Sequence, residues 1–122
     1  MKPKVLLVED NDMCQEIVGE YISTLDVEFL VASDGIEALE IMAQHDIDLV
    51  LMDIMMPNMD GVETATKIRA LDNAKKANVP IIAVTARNPE TDKDIWYAVG
   101  FNDYASKPFS EGELLELVQR YI

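Results

Sequence analysis

Five short runs of apolar, β-branched residues alternate along the chain with five stretches whose apolar residues recur at helical spacing. The runs are Lys4–Val8, Val27–Ala32, Asp48–Met52, Pro80–Val84 and Asp103–Ala105. The first, third and fourth are nearly continuous in apolar residues, the mark of strands buried on both faces of a parallel sheet. The fifth is short and rests on the rhythm of the others. Between them, Cys14, Ile17, Val18, Tyr21, Ile22 and Leu25 fall on one face of a helix, as do Leu114, Leu117, Val118 and Tyr121 near the end. Three helices open with an N-cap acceptor and an acid three residues on: Asp34 with Glu37, Asp60 with Glu63, and Ser110 with Glu113. The helix after the fourth run spans about Pro89 to Val99, and its apolar residues crowd into Ile95–Val99. The pattern is (βα)5, an α/β chain with one parallel sheet, helices on both faces and right-handed crossovers. It contains no repeat and no linker. One domain over residues 1–122 is expected, with no room for an effector domain.

The chain has 122 residues, of which 49% are apolar, suited to one core. No apolar run is long enough to span a membrane, and no secretory signal is visible. Cys14 is the single cysteine, which excludes an intramolecular disulfide and suits the cytoplasm. Ten basic residues stand against 23 acidic ones, a net charge of −13. That field disfavours nucleic acid and anionic lipid, and it favours metal cations and basic partners; solubility alone also accounts for it.

In an open parallel sheet, ligands bind beyond the carboxyl ends of the strands, where the strand order switches. The first run is followed by Glu9 and Asp10, the third by Asp53, the fourth by Thr85, and the fifth by Lys107 and Pro108. Taken singly, the acids read as helix caps, Thr85 as a turn residue and Lys107 as a solvated cation. Together they place three carboxylates, a hydroxyl and an ammonium on one edge. Carboxylates in proximity repel unless a cation sits among them. An all-oxygen donor set points to Mg2+. A carboxylate is also a nucleophile able to form an acyl phosphate, with metal, lysine and hydroxyl stabilising the transferring group.

These segments resemble the response-regulator receiver family from Lys4 to Tyr121. The carrying motifs are Val5-Leu6-Leu7-Val8-Glu9-Asp10-Asn11, Leu51-Met52-Asp53-Ile54-Met55-Met56-Pro57-Asn58-Met59-Asp60-Gly61, Ile82-Ala83-Val84-Thr85-Ala86 and Tyr104-Ala105-Ser106-Lys107-Pro108. The resemblance implies a flavodoxin-like, doubly wound sheet of strand order 2-1-3-4-5. It also implies that Asp53 is the phosphoacceptor. Asp10 would be a direct Mg2+ ligand, Glu9 a ligand through water, and the Met55 carbonyl a further ligand. Thr85 corresponds to the switch hydroxyl and Tyr104 to the aromatic that moves with it. Lys107 would pair with the phosphate, and the Lys107-Pro108 bond would be cis. The donor would be a phosphohistidine on a histidine kinase or histidine phosphotransfer protein, and the output an unidentified downstream protein. The motifs are similar to receivers of hybrid histidine kinases, although those often carry Asn where this chain has Cys14; a stand-alone regulator is equally consistent.

Other residues have plainer readings. His45, at the end of the second helix, is expected to cap it or lie on the surface. Met52, Met55, Met56 and Met59 around Asp53 read as core and loop packing. Ile95, Trp96 and Tyr97 read either as an aromatic anchor for a partner or, for the first two, as core. Met55 and Arg87, two residues past Asp53 and Thr85, flank the approach of water and are expected to set the lifetime of an acyl phosphate. An Mg2+-dependent aspartyl-phosphate hydrolase needs an acid two residues after its nucleophile, where this chain has Met55. A receiver-like interaction module that works without phosphorylation is the other alternative.

Overall fold

The computed structural model describes residues 2–56, 59–86 and 89–122, with Pro89 described by its backbone alone. The elements in chain order are β1 (Lys4–Val8), α1 (Asp12–Ile22), β2 (Glu28–Ala32), α2 (Gly35–Gln44), β3 (Leu49–Asp53), α3 (Gly61–Arg69), α4 (Ala74–Ala77), β4 (Ile81–Thr85), α5 (Pro89–Val99), β5 (Asp103–Ser106) and α6 (Glu111–Gln119). All strand pairs are parallel, in the order β2-β1-β3-β4-β5. This is the expected flavodoxin-like arrangement.

Two strands lie one residue later than the sequence pattern suggested, and the shift bears on function. Pro80 has no N–H to donate, so β4 begins after it, although its carbonyl still accepts from Val50 at 2.9 Å. At the other end, Asp53 and Thr85 sit within the last rungs, opposite Val84 and Ser106. Strand geometry, not loop geometry, therefore holds both side chains. The pattern also missed α4, a single turn of four residues capped by Asn73, which accepts from the Lys76 N–H at 3.2 Å. One turn is too short for its periodicity to show.

Each face of the sheet is apolar. Val5, Leu7, Leu49, Leu51, Ile82 and Val84 pack against Val18 and Ile22 of α1 and Leu114, Leu117 and Val118 of α6. Leu6, Val8, Val50, Met52, Ile81 and Ala83 pack against α2, α3 and α5. Truncating any one of these large side chains costs about 2–5 kcal/mol. Trp96 belongs to this second core at 2% exposure, whereas Ile95 beside it is 57% exposed. The two do not act alike, and Trp96 is not available as a surface anchor.

All three predicted caps form. Asp34 accepts from Glu37 N–H at 2.8 Å, Asp60 from Glu63 N–H at 2.8 Å, and Ser110 from Glu113 N–H at 3.1 Å. A fourth cap, Asn11 on α1, accepts from Cys14 N–H at 2.9 Å. His45 is the C-cap of α2. Gly100 ends the last turn after α5 at φ 110°, where a Cβ would lie 2.7 Å from Arg69 Nε.

Candidate functional site

The strand order makes the site. β1 and β3 are neighbours with Val8 opposite Met52, so Asp53, one residue on, comes beside Glu9. One oxygen each from Glu9, Asp10 and Asp53 lie within 4.8 Å of one another. Glu9 is 1% exposed and Asp53 5%, while Asp10 faces solvent. Lys107 follows β5 and reaches across this group: its Nζ is 2.6 Å from Glu9 Oε1 and 3.8 Å from Asp53 Oδ1. The lysine's closest acceptor is therefore Glu9 and not Asp53. The Lys107-Pro108 bond is cis, as expected.

Local bonds hold each group. Glu9 N–H donates to Ala32 O at 2.9 Å, Asn11 N–H donates to Glu9 Oε2 at 3.3 Å, and Gln15 Nε2 donates to Glu9 O at 2.6 Å. Met55 N–H donates to Asp53 Oδ1 at 3.2 Å. Gly61 closes the loop after β3 by donating to Ile54 O at 2.9 Å. A Cβ at Gly61 would run into the Asp53 carbonyl oxygen and lie 2.8 Å from Ile54 Cα, so α3 approaches β3 this closely only with glycine there. Thr85 is buried at the end of β4, and its carbonyl accepts from Lys107 N–H at 2.8 Å. Tyr104 is half-buried, its ring 6.0 Å from that of Trp96 and 6.4 Å from that of Tyr97.

Burial pushes the Glu9 carboxyl up. The hydrogen bonds from Lys107 and Cys14, the contact with Asp53 and the lysine charge outweigh it, and Glu9 lies below its ordinary value. Asp53 goes the other way. Burial, then its hydrogen bond with Glu9 and the Glu9 charge, push it up to about 7, against Lys107 and the Met55 N–H. Burial lowers Lys107, but its bond to Glu9 and the two carboxylate charges more than offset this. The physical content is that two adjoining buried carboxylates with one cation do not both ionise cheaply. A second cation would relieve them, and the available donors are hard oxygens. Cys14 lies close, and burial and Glu9 push its thiol up to about 11, so it is protonated at neutral pH in the metal-free protein. The donor set fits a hard divalent cation.

The structure thus brings Glu9, Asp10, Asp53 and Lys107 together, with Thr85 and the backbone of Met55 at the same edge. The Met55 side chain is 61% exposed. Arg87 lies outside the described residues. Sequence reasoning missed Gln15, whose side chain reaches six residues back to Glu9 O; a polar residue in a helix's first turn carries no signal of that reach.

A family model described as response regulator receiver domain matches residues 5–119. The chain is 41% identical to transcription factor SKN7 of Chaetomium thermophilum over 123 residues, which cover 99% of this chain and 16% of that protein. It spans only part of the length of several curated relatives, from 7% to 54%. Among solved structures, the receiver domain of sensor histidine kinase PA1611 of Pseudomonas aeruginosa is 35% identical with a TM-score of 0.88, over 99% of this chain and 98% of that one; it has a magnesium ion coordinated in its active-site cleft. A chain of the co-crystal structure of the Saccharomyces cerevisiae histidine phosphotransfer protein Ypd1 and the receiver domain of its downstream response regulator Ssk1 is 30% identical with a TM-score of 0.87, over 98% of this chain and 88% of that one. With the family match running from β1 to the end of α6 and the acidic cluster at the β1/β3 switch point, this chain belongs to the response regulator receiver domain family of two-component signalling.

Proposed function

We propose that Asp53 accepts a phosphoryl group from phosphohistidine on a histidine kinase or histidine phosphotransfer protein, with Mg2+ held by Glu9, Asp10, Asp53 and the Met55 carbonyl. The observation that carries this is the convergence of three carboxylate oxygens within 4.8 Å of one another, with Lys107 reaching both Glu9 and Asp53. As Oδ of Asp53 bonds to phosphorus, the phosphorus–nitrogen bond of the donor breaks and the imidazole leaves. Asp53 must be ionised to attack, and Lys107 favours that form. The same ammonium then meets a phosphoryl oxygen, and the Thr85 hydroxyl, at the adjoining strand end, donates to another. When bound, Mg2+ supplies the charge that offsets the carboxylates and the phosphoryl oxygens.

The output is read as a switch on β4 and β5, where Thr85 lies two rungs from the pair of Ala83 with Tyr104. Drawing its hydroxyl toward the phosphate frees space on the β5 side, into which Tyr104 turns, and the surface of α5, β5 and α6 changes for an unidentified downstream partner. Tyr104 in ring contact with Trp96 and Tyr97 supports the coupling. Residues 1–122 are read as one such domain, acting in the cytoplasm as a phosphoacceptor and not as a turnover enzyme. Its relatives of greater length leave both a hybrid kinase and a regulator as its context. Met55, with no proton to exchange at the position two past Asp53, argues against a hydrolase, and Met55 and Arg87 are read as setting phosphate lifetime.

Incubation with acetyl phosphate and Mg2+, followed by intact mass, tests this. One added phosphoryl group, absent in Asp53→Asn, is expected. Continuous turnover of acetyl phosphate without accumulation would indicate a hydrolase, and no gain at all an interaction module.

A further inference from the structure

Asp10 differs from its partners in the acidic cluster. Glu9 and Asp53 are buried and hydrogen-bonded, whereas Asp10 is exposed and, among the described residues, its carboxylate has no hydrogen bond. No bond among the described residues holds its side-chain torsions, so what the protein fixes is the backbone position from which it projects. The Glu9 carbonyl, the Asp10 N–H and the Asp10 Cα share one rigid peptide plane, so fixing the carbonyl fixes the Cα from which the Asp10 side chain departs. Among the described residues one side chain bonds that carbonyl: Gln15, from the first turn of α1, at 2.6 Å. The same nitrogen is 3.5 Å from Ser33 Oγ, just past β2, while Gln15 N–H closes the first helical turn on Asn11 O at 3.0 Å. The carboxamide thus ties α1 to the ends of β1 and β2 at the turn that carries two of the three acids.

We propose that Gln15 is a positioning residue for the metal site: its carboxamide locks the Glu9–Asp10 peptide plane and so directs the Asp10 carboxylate toward Asp53. This rests on the reading that Glu9, Asp10 and Asp53 hold Mg2+. Groups that orient a metal ligand without touching the metal are typically worth about 10–100-fold in affinity. The carbonyl here acts on the Asp10 carboxylate across φ, χ1 and χ2 of Asp10, so the low end is expected.

The test is the Mg2+ dissociation constant of the full chain, from calorimetric titration and from the rise of melting temperature with Mg2+. Gln15→Met keeps length and shape but cannot donate. It should bind Mg2+ about tenfold more weakly than wild type. The comparison is Asn78→Ala, which removes a bond of Nδ2 to Ala74 O of 2.8 Å at the far end of the sheet. It should lower the melting temperature in EDTA while leaving Mg2+ affinity as in wild type. Equal affinity in Gln15→Met and wild type overturns the proposal, as does an equal loss in Asn78→Ala. If Gln15→Met does not fold, Gln15→Glu decides: weaker binding than wild type supports the lock, and equal or tighter binding, which the added charge alone would give, overturns it. Wild type that binds no Mg2+ would overturn the metal reading itself, a result distinct from equal binding by the two proteins.

Discussion

In metal-free protein, Lys107→Met should cost about 3 kcal/mol of stability at pH 7 and much less at pH 5.5. Methionine keeps the aliphatic stem and removes the charge. Lys107 Nζ is 2.6 Å from Glu9 Oε1, and Glu9 is 1% exposed, so the variant leaves a carboxylate buried beside Asp53 without its cation. Removing one partner of such a pair typically costs about 3–5 kcal/mol. The carboxylate has an escape, since it can take up a proton. From an ordinary value of 4.5, remaining protonated in the folded state at pH 7 costs about 3.4 kcal/mol, at about 1.36 kcal/mol per unit, which caps the penalty Glu9 itself imposes on the variant. The sign is then fixed. In wild type Glu9 is held below its ordinary value, so its contribution is present above about 4.5 and is lost as pH falls through the folded value. In the variant, burial acts unopposed and Glu9 rises above the ordinary value. The native state then binds more protons than the unfolded chain, and stability falls as pH rises. At pH 5.5 the cap is only about 1.4 kcal/mol. For 122 residues the unfolding entropy is about 0.26 kcal/mol per degree, so 3 kcal/mol corresponds to about 12 °C. Urea unfolding of both proteins in EDTA at the two pH values is the assay, and saturating Mg2+ should recover part of the loss. A deficit under about 1 kcal/mol at pH 7, or one that does not change with pH, would refute the reasoning.

Three further outcomes are expected. Met55→Asn, which can hydrogen-bond a water near Asp53, should shorten the phosphorylated state several-fold without preventing its formation; decay followed by intact mass after donor removal checks this, and equal decay would leave lifetime to other residues. Gly61→Ala should lose about 2 kcal/mol and phosphorylate more slowly, because the new methyl displaces α3 from the Asp53 carbonyl and Ile54 Cα; urea unfolding and initial phosphorylation rate are the measurements. Arg69→Met removes bonds to Gly100 O (3.1 and 2.6 Å), Ala77 O (2.8 Å), Val79 O (2.7 Å) and Asn102 Oδ1 (3.0 Å), and should cost about 3 kcal/mol in urea unfolding with Mg2+ affinity unchanged.

The sequence alone determined the layers and the edge on which chemistry sits. Strands buried on both faces read as apolar runs, the caps at Asp34, Asp60 and Ser110 are local bonds within four residues, and a parallel sheet sends every strand's carboxyl end to one side. Glu9, Asp10, Asp53, Thr85 and Lys107 could therefore be placed together before any coordinates. Tertiary structure decided the rest. It paired Lys107 first with Glu9, set Gln15 on the Glu9 carbonyl, buried Trp96 while leaving Ile95 exposed, and gave Arg69 carbonyls eight to 31 residues away. Periodicity reports which side of an element faces inward, because burial is averaged over a turn or a rung. Which of two carboxylates an ammonium meets depends on differences of about an ångström in register and helix placement, and those are fixed only when the two cores pack against the sheet.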